Sequence, residues 1–254
     1  MTAIRTALSF DDVLLVPKFS NIGTRREIDL SSVLGSTVFS LPVISSPMDT
    51  VTEDSMLVSM QNAGGLGVLH RYNNIDEQIS VIKSASEAGC TVMGAAIGVT
   101  SDFEERACAL FEAGVKVICI DIAHGHHSMM KDAIDCLRDI FGKKIIIIAG
   151  NVATKEGYED LSDWGADAVR VGVGGGSICS TRIQTGHGVP TLQSVLDCAS
   201  SDRDVPIIAD GGIKNSGDAA KALAAGASFV MLGSVLAGTD ETPGPTIRQK
   251  NSSG

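Results

Sequence analysis

Short runs of apolar residues, each closed by a small or polar residue, recur along most of the chain. They read LPVISSPMDT, GGLGVLH, TVMGAAIGV, VKVICIDIAHG, KKIIIIAGNVAT, ADAVRVGVGGG, VPIIADGG and ASFVMLGSVLAG. Unbroken apolarity, rather than alternation, marks strands buried on both faces, which is the pattern of a parallel sheet. Amphipathic stretches lie between the runs, at 74–88, 102–113, 129–141, 155–164 and 216–225. Several end at the same kind of junction (EAGC, EAGV, WGAD, AAGAS), where Gly supplies the left-handed residue that stops a helix. Eight strands alternating with helices predict an α/β fold, a (β/α)8 barrel forming one domain over the 254 residues. A doubly wound sheet is the alternative, but it has fewer strands and carries its glycine-rich turn after the first one, whereas the glycine-rich turns here come late. Residues 1–40 precede the first buried strand and are expected to cap the barrel. Residues 239–254 are polar and aperiodic. They read as the start of a flap, with the barrel expected to be truncated after its eighth strand.

Hydrophobic residues at 44% and charged residues at 20% supply a core and argue against disorder. Aromatics are only 4% against 28 glycines, which suits close-packed strands and tight turns. The net charge of −10 excludes a non-specific binder of nucleic acid or of anionic membranes. It also means that a phosphorylated ligand must be held by local groups. No run approaches the roughly 20 apolar residues of a membrane span, and the N-terminus meets acid too soon for a signal peptide. Six scattered cysteines without a CxxC pair read as reduced thiols of a cytoplasmic protein.

In such barrels the chemistry sits at the C-terminal ends of the strands, with phosphate commonly held after the seventh and eighth. Here those loops are Asp210-Gly211-Gly212 and Gly233-Ser234. Gly lets main-chain N–H groups approach phosphate oxygens, although any one pair could simply make a tight turn. After the sixth strand comes VGVGGGSICSTR, residues 171–182, too rich in Gly for a helix or a stable strand. It reads as a flexible loop that delivers Ser177, Cys179 and Thr181 to the barrel mouth. A thiol there, near a phosphate site and Arg182, is a candidate nucleophile; the other five cysteines read as small buried hydrophobes. Asp121 closes the fourth strand ahead of His124, His126 and His127, which lack a second ligand cluster, so zinc is not expected. Asn151 closes the fifth strand, either holding a polar ligand edge or making a turn.

Four segments together resemble the IMP dehydrogenase/GMP reductase family: SSPMDTVTE (45–53), GNVAT, RVGVGGGSICSTR, and IIADGGI with the downstream GD, KALAAGA, VMLGS and AGT. The resemblance runs from Ser9 to about Gly244. It implies a (β/α)8 barrel, a homotetramer, that handles a purine nucleotide with NAD or NADP. It implies that Cys179 attacks C2 of the purine, with Thr181 beside the reacting carbon and Glu241 where reductases pair an acid with that threonine. Ser177, Gly211, Gly212, Gly233 and Ser234 would bind phosphate, and Asp210 the ribose. Ser46, Met48, Asn151 and Arg170 would line the nucleotide pocket, and Asp121 with Ala123 would face the nicotinamide ribose. Gly174, Gly176 and Cys179 would offer carbonyls to a potassium ion.

SSPMDTVTE, GVLHRYNNIDEQ, SIC and GHGVP look like the dehydrogenase. Thr185-Gly186, AHGH, Glu241 and the absence of a CBS pair near residues 85–90 look like the reductase. The dehydrogenase is the expectation. A non-catalytic nucleotide-binding barrel and a flavin-dependent barrel are the other readings; neither explains the cysteine loop.

Overall fold

The computed structural model describes residues 4–244. A short antiparallel hairpin, β1 (Ser32–Leu34) and β2 (Thr37–Phe39), precedes the barrel. Eight parallel strands then close on themselves. They are β3 (Val43–Ser45), β4 (Leu66–Leu69), β5 (Gly94–Ile97), β6 (Val117–Asp121), β7 (Ile146–Val152), β8 (Ala168–Val171), β9 (Ile207–Asp210) and β10 (Phe229–Leu232). Each falls inside one of the eight apolar runs. The helices on the outside are α1 (Asp54–Asn62), α2 (Ile75–Glu87), α3 (Phe103–Glu112), α4 (Ser128–Phe141), α5 (Lys155–Asp163), α7 (Thr191–Ala199) and α8 (Ser216–Ala224), while the short α6 (Thr181–Thr185) belongs to the loop after β8.

The continuous apolarity of the strands has two recipients. On β6, Val117 and Cys119 point into the barrel with Ile44, Val68, Ile148, Ile208 and Phe229, while Ile118 and Ile120 face the helices. The helices begin and end where their termini are chemically satisfied. Asn74 and Glu77 exchange reciprocal hydrogen bonds at the start of α2, and Thr154 and Asn215 cap α5 and α8. At the far ends, Gly89, Gly114, Gly165 and Gly226 all take positive φ, as the repeated junctions predict.

Of the segment expected to cap the barrel, residues 4–40 are described and reach both of its ends. Leu34 and Phe39 of the hairpin plug the N-terminal end of the barrel, with the Phe39 ring edge-on to Phe229 at 5.9 Å. Upstream, Phe10 lies at the opposite end, 3.9 Å from where a side chain on Gly212 would begin, and Lys221 Nζ donates to its carbonyl at 2.7 Å. The segment therefore spans the barrel from mouth to base. After β10 the described residues continue in turns, with no further helix among them. Of the stretch expected to open a flap, residues 245–254 lie outside the described residues.

Candidate active site

At the C-terminal ends of the strands one cavity, of about 330 Å³, lies between the Cys179 loop and Ser9–Asp11, and two others flank that loop. One, of about 170 Å³, is lined by Ser46, Met48, Gly176, Ser177, Asp210, Gly211, Gly212, Gly233 and Ser234, among others. The other, of about 290 Å³, is lined by Asp121, Ala123, Asn151, Arg170, Gly174, Cys179 and Thr181, together with Arg71 and Tyr72. The loop 172–181 forms the partition. Its Gly176 and Ser177 face the first cavity, and Cys179 and Thr181 face the second.

Packing leaves no room for a side chain at Gly172 or Gly175 of this partition. A side chain on Gly172, whose φ is +149°, would begin 1.9 Å from the Asp210 carbonyl oxygen. One on Gly175 would begin 2.2 Å from Thr191 Oγ1. The backbone is wedged against β9 and α7, and only the tip, Ser177 and Ile178 with Ser180, is exposed. Thr181 opens the short helix α6, so its main-chain N–H points back into the loop without an intrahelical partner. The Thr181 hydroxyl, then the Thr181 and Gly174 main-chain N–H groups, favour the Cys179 thiolate and hold its pKa below that of an ordinary thiol, with a smaller contribution from Arg182. The other five cysteines go the opposite way. Burial pushes Cys119 up to about 11 and Cys198 to about 12, and raises Cys90, Cys108 and Cys136 as well.

Behind the partition runs a chain of charges. Arg170, on β8 and almost fully buried, donates through one terminal nitrogen to Asp121 Oδ1 at 2.6 Å and through the other to Asp210 Oδ2 at 2.8 Å. Burial disfavours its charge, but Asp210, Cys119 and Asp121 more than offset that cost, and its pKa is raised. Asn151 Nδ2 donates to the same Asp210 oxygen at 2.7 Å and to the Gly172 carbonyl at 2.8 Å, joining β7 to the loop. Arg71 extends the chain, its Nε 3.5 Å from Asp121 Oδ2.

Nearly all the residues singled out in the sequence thus meet at one mouth, although Asn151 and Arg170, expected in the nucleotide pocket, line the second cavity. Glu241 is half-buried beyond β10, lines neither cavity, and no hydrogen bond joins it to Thr181 among the described residues. The three histidines part company. His126 Nε2 pairs with Asp160 at 2.7 Å, and His127 caps α4 by accepting from the Met129 N–H. Arg71 and Tyr72 were not anticipated as part of the site. They directly follow β4, so the rule that strand ends carry the chemistry already points to them.

The chain matches the family described as "IMP dehydrogenase / GMP reductase domain" over residues 7–253. It belongs to that family. The IMP dehydrogenase of Nitrosopumilus maritimus is 36% identical, with 97% of this chain and 78% of that protein covered. That of Cryptosporidium parvum is 40% identical over 95% of this chain and 70% of its own length. The GMP reductase of Leishmania major is 31% identical over 94% of this chain and 76% of its own. Among solved structures, the C318A variant of GMP reductase from Trypanosoma brucei superposes with a TM-score of 0.89 at 29% identity, covering 96% of this chain and 86% of that one. At family level the protein is a purine-nucleotide oxidoreductase with a (β/α)8 barrel.

The alignment with the Nitrosopumilus protein is 377 positions long against a chain of 254 residues, so more than a hundred positions there have no counterpart here. The Leishmania reductase alignment is as long, at 376 positions, whereas the Cryptosporidium dehydrogenase needs only 287. Extra length therefore does not separate dehydrogenases from reductases. In this chain β4 and β5 are joined by α2 alone, with no inserted domain.

Proposed function

We propose that the protein is the dehydrogenase of the pair. IMP, NAD and water would give XMP, NADH and a proton through a covalent adduct on Cys179. The observation that carries this reading is that Cys179 alone among the six cysteines is held toward its thiolate, on the partition between the two cavities. In this reading IMP occupies the cavity of Ser46, Met48, Ser177, Asp210, Gly211, Gly212, Gly233 and Ser234. Main-chain N–H groups of the glycine turns and the Ser177 and Ser234 hydroxyls, 3.3 Å apart, hold its phosphate. The ribose hydroxyls donate to Asp210, and its purine reaches the partition.

The Cys179 thiolate adds to electrophilic C2, forming an S–C2 bond and making that carbon tetrahedral. Loss of hydride from C2 leaves a thioimidate. Water then adds at C2, the S–C2 bond breaks, and the thiolate is restored with XMP released. Covalent catalysis divides one difficult substitution into two easier steps. Thr181, beside the sulfur, stabilises the thiolate as it leaves.

The second cavity fits the nicotinamide ribose. Asp121 Oδ2 lies outside the bond to Arg170, 3.5 Å from the buried Arg71 Nε, which itself makes no hydrogen bond. Asp121 and Ala123 would hold that ribose, and a nicotinamide dinucleotide bound there would supply the hydride acceptor. The carbonyls of Gly174, Gly176 and Cys179 are hard oxygen donors of the kind potassium takes. Gly176 already accepts from the Cys179 N–H at 3.1 Å, and three carbonyls make an incomplete shell, so no step is drawn through a cation.

The direction of reaction is supported by higher identity to the Nitrosopumilus and Cryptosporidium dehydrogenases, at 36% and 40%, than to the Leishmania reductase at 31%, while other dehydrogenases stand at 32%. The superposition on a GMP reductase favours the reverse reading, in which GMP and NADPH give IMP and ammonia. Absorbance at the reduced-nicotinamide band decides between them. IMP with NAD is expected to give a steady rise; loss of NADPH that requires GMP and releases ammonia, with no rise from IMP, overturns the assignment. The family resemblance supports a cytoplasmic homotetramer. Among the described residues no helix is long and apolar enough to cross a membrane.

A further inference from the structure

One buried side chain, Arg170, bridges an acidic residue of each cavity. Asp121 lines one cavity and Asp210 the other, on strands β6 and β9 that do not neighbour each other in the barrel. Arg170, from β8 between them, gives one terminal nitrogen to each carboxylate, at 2.6 and 2.8 Å. Its exposure is 6%, its Nε has no partner, and beyond the two carboxylates it meets the Cys119 sulfur at 3.5 Å, so the guanidinium has no solvent to lean on when a carboxylate is lost. Asp210 Oδ2 accepts from both Arg170 and Asn151, so Asp210 meets ligands with its other oxygen; Asp121 likewise gives Oδ1 to Arg170.

We propose that Arg170 is a positioning residue that couples the nucleotide cavity to the dinucleotide cavity, so that the state of Asp121 sets the affinity for IMP and the state of Asp210 sets the affinity for the dinucleotide. The physical reason is competition for one cation. A buried guanidinium shared by two carboxylates cannot relax into water when one of them is removed. It collapses onto the remaining partner, drawing that carboxylate off its position and reducing its capacity to accept ligand hydroxyls. A lysine cannot replace it, because an ammonium is a point charge without the planar fork that reaches both sides. Through such a bridge the two ligands also act on each other, and by thermodynamic necessity each changes the other's affinity by the same factor.

The inference rests on the assignment of the two cavities made above, and binding measurements separate the two claims. IMP and NADH are each titrated calorimetrically into the full chain. Asp121→Asn, a change outside the IMP cavity, is expected to weaken IMP at least about fivefold, the lower end of ordinary coupling between sites. Asp210→Asn is expected to weaken NADH by a similar factor. In an Arg170→Lys background, the Asp121→Asn effect on IMP should vanish, as a double-mutant cycle requires. If Arg170→Lys does not fold, the two reciprocal single variants carry the test. IMP affinity unchanged in Asp121→Asn overturns the coupling, and an Asp121→Asn effect that persists with lysine at 170 overturns Arg170 as its carrier. A wild-type chain that binds neither IMP nor NADH counts against the cavity assignment, and the coupling falls with it.

Discussion

At the scale of single residues, the chemistry turns on what surrounds one sulfur. The Thr181 hydroxyl is the largest contributor to the lowered pKa of Cys179. Because the thiolate is the reactive form, alkylation of Cys179 should rise with pH and level off above a midpoint lower than that of a free thiol. Thr181→Val removes the hydroxyl but keeps the main-chain N–H, so the midpoint should move to higher pH. A pH series of iodoacetamide rates followed by mass spectrometry reads this, and an unmoved midpoint would remove Thr181 from that role. Gly233 makes a second residue-scale case. Its φ is not left-handed, and a side chain there would begin 3.1 Å from Met48 Sδ and 3.3 Å from Ser46 Oγ, inside the cavity given to the nucleotide. Gly233→Ala should therefore weaken IMP about tenfold or more while weakening inosine much less, by calorimetry. Equal losses would mean that the glycine serves its turn and not a phosphate.

Elements show what the pattern of residues could and could not reveal. The strands were legible because burial on both faces leaves an unmistakable apolar run, and helix ends were legible because Gly at the junctions has one job. Helices α1 and α7 were harder to see. The polar residues of α1, Asp54–Asn62, break its apolar stripe, and α7, Thr191–Ala199, begins at Pro190 with no capping side chain. The glycine loop is legible as a loop, but what its glycines touch is not. Gly172 and Gly175 are fixed by contacts with Asp210 and Thr191, which lie far off in sequence and leave no local trace. The hairpin shows the same limit, since nothing in Leu34 or Phe39 says that they will plug a barrel. Phe39→Ala empties that plug against Phe229, and urea unfolding should show a loss of about 3–5 kcal/mol. Alkylation of Cys179, at the other end of the barrel, should be unaffected in the folded variant. A loss under 1 kcal/mol would mean that the hairpin merely rests on the barrel.

On the scale of the whole molecule, an acidic chain of net charge −10 binds an anionic substrate only by building a local exception to its own field. The barrel mouth is that exception. It combines glycine turns that present N–H groups with a cysteine loop whose sulfur is stabilised as an anion by adjacent donors. The same mouth places two acidic residues at the edges of neighbouring cavities and shares one buried cation between them. Family membership fixes the class of reaction, and in the proposed reading each of the two cavities takes one substrate, with Cys179 on the partition between them. The central claim is that a purine nucleotide presents C2 to that sulfur. A 2-chloro analogue of inosine monophosphate tests it directly, since a thiolate that adds at C2 expels chloride and leaves a stable thioether. Intact-mass and peptide mass spectrometry should show one adduct per chain, on Cys179, blocked by IMP and absent from Cys179→Ser. An adduct on any of the other five cysteines at a comparable rate, or undiminished labelling of Cys179→Ser, would contradict the account.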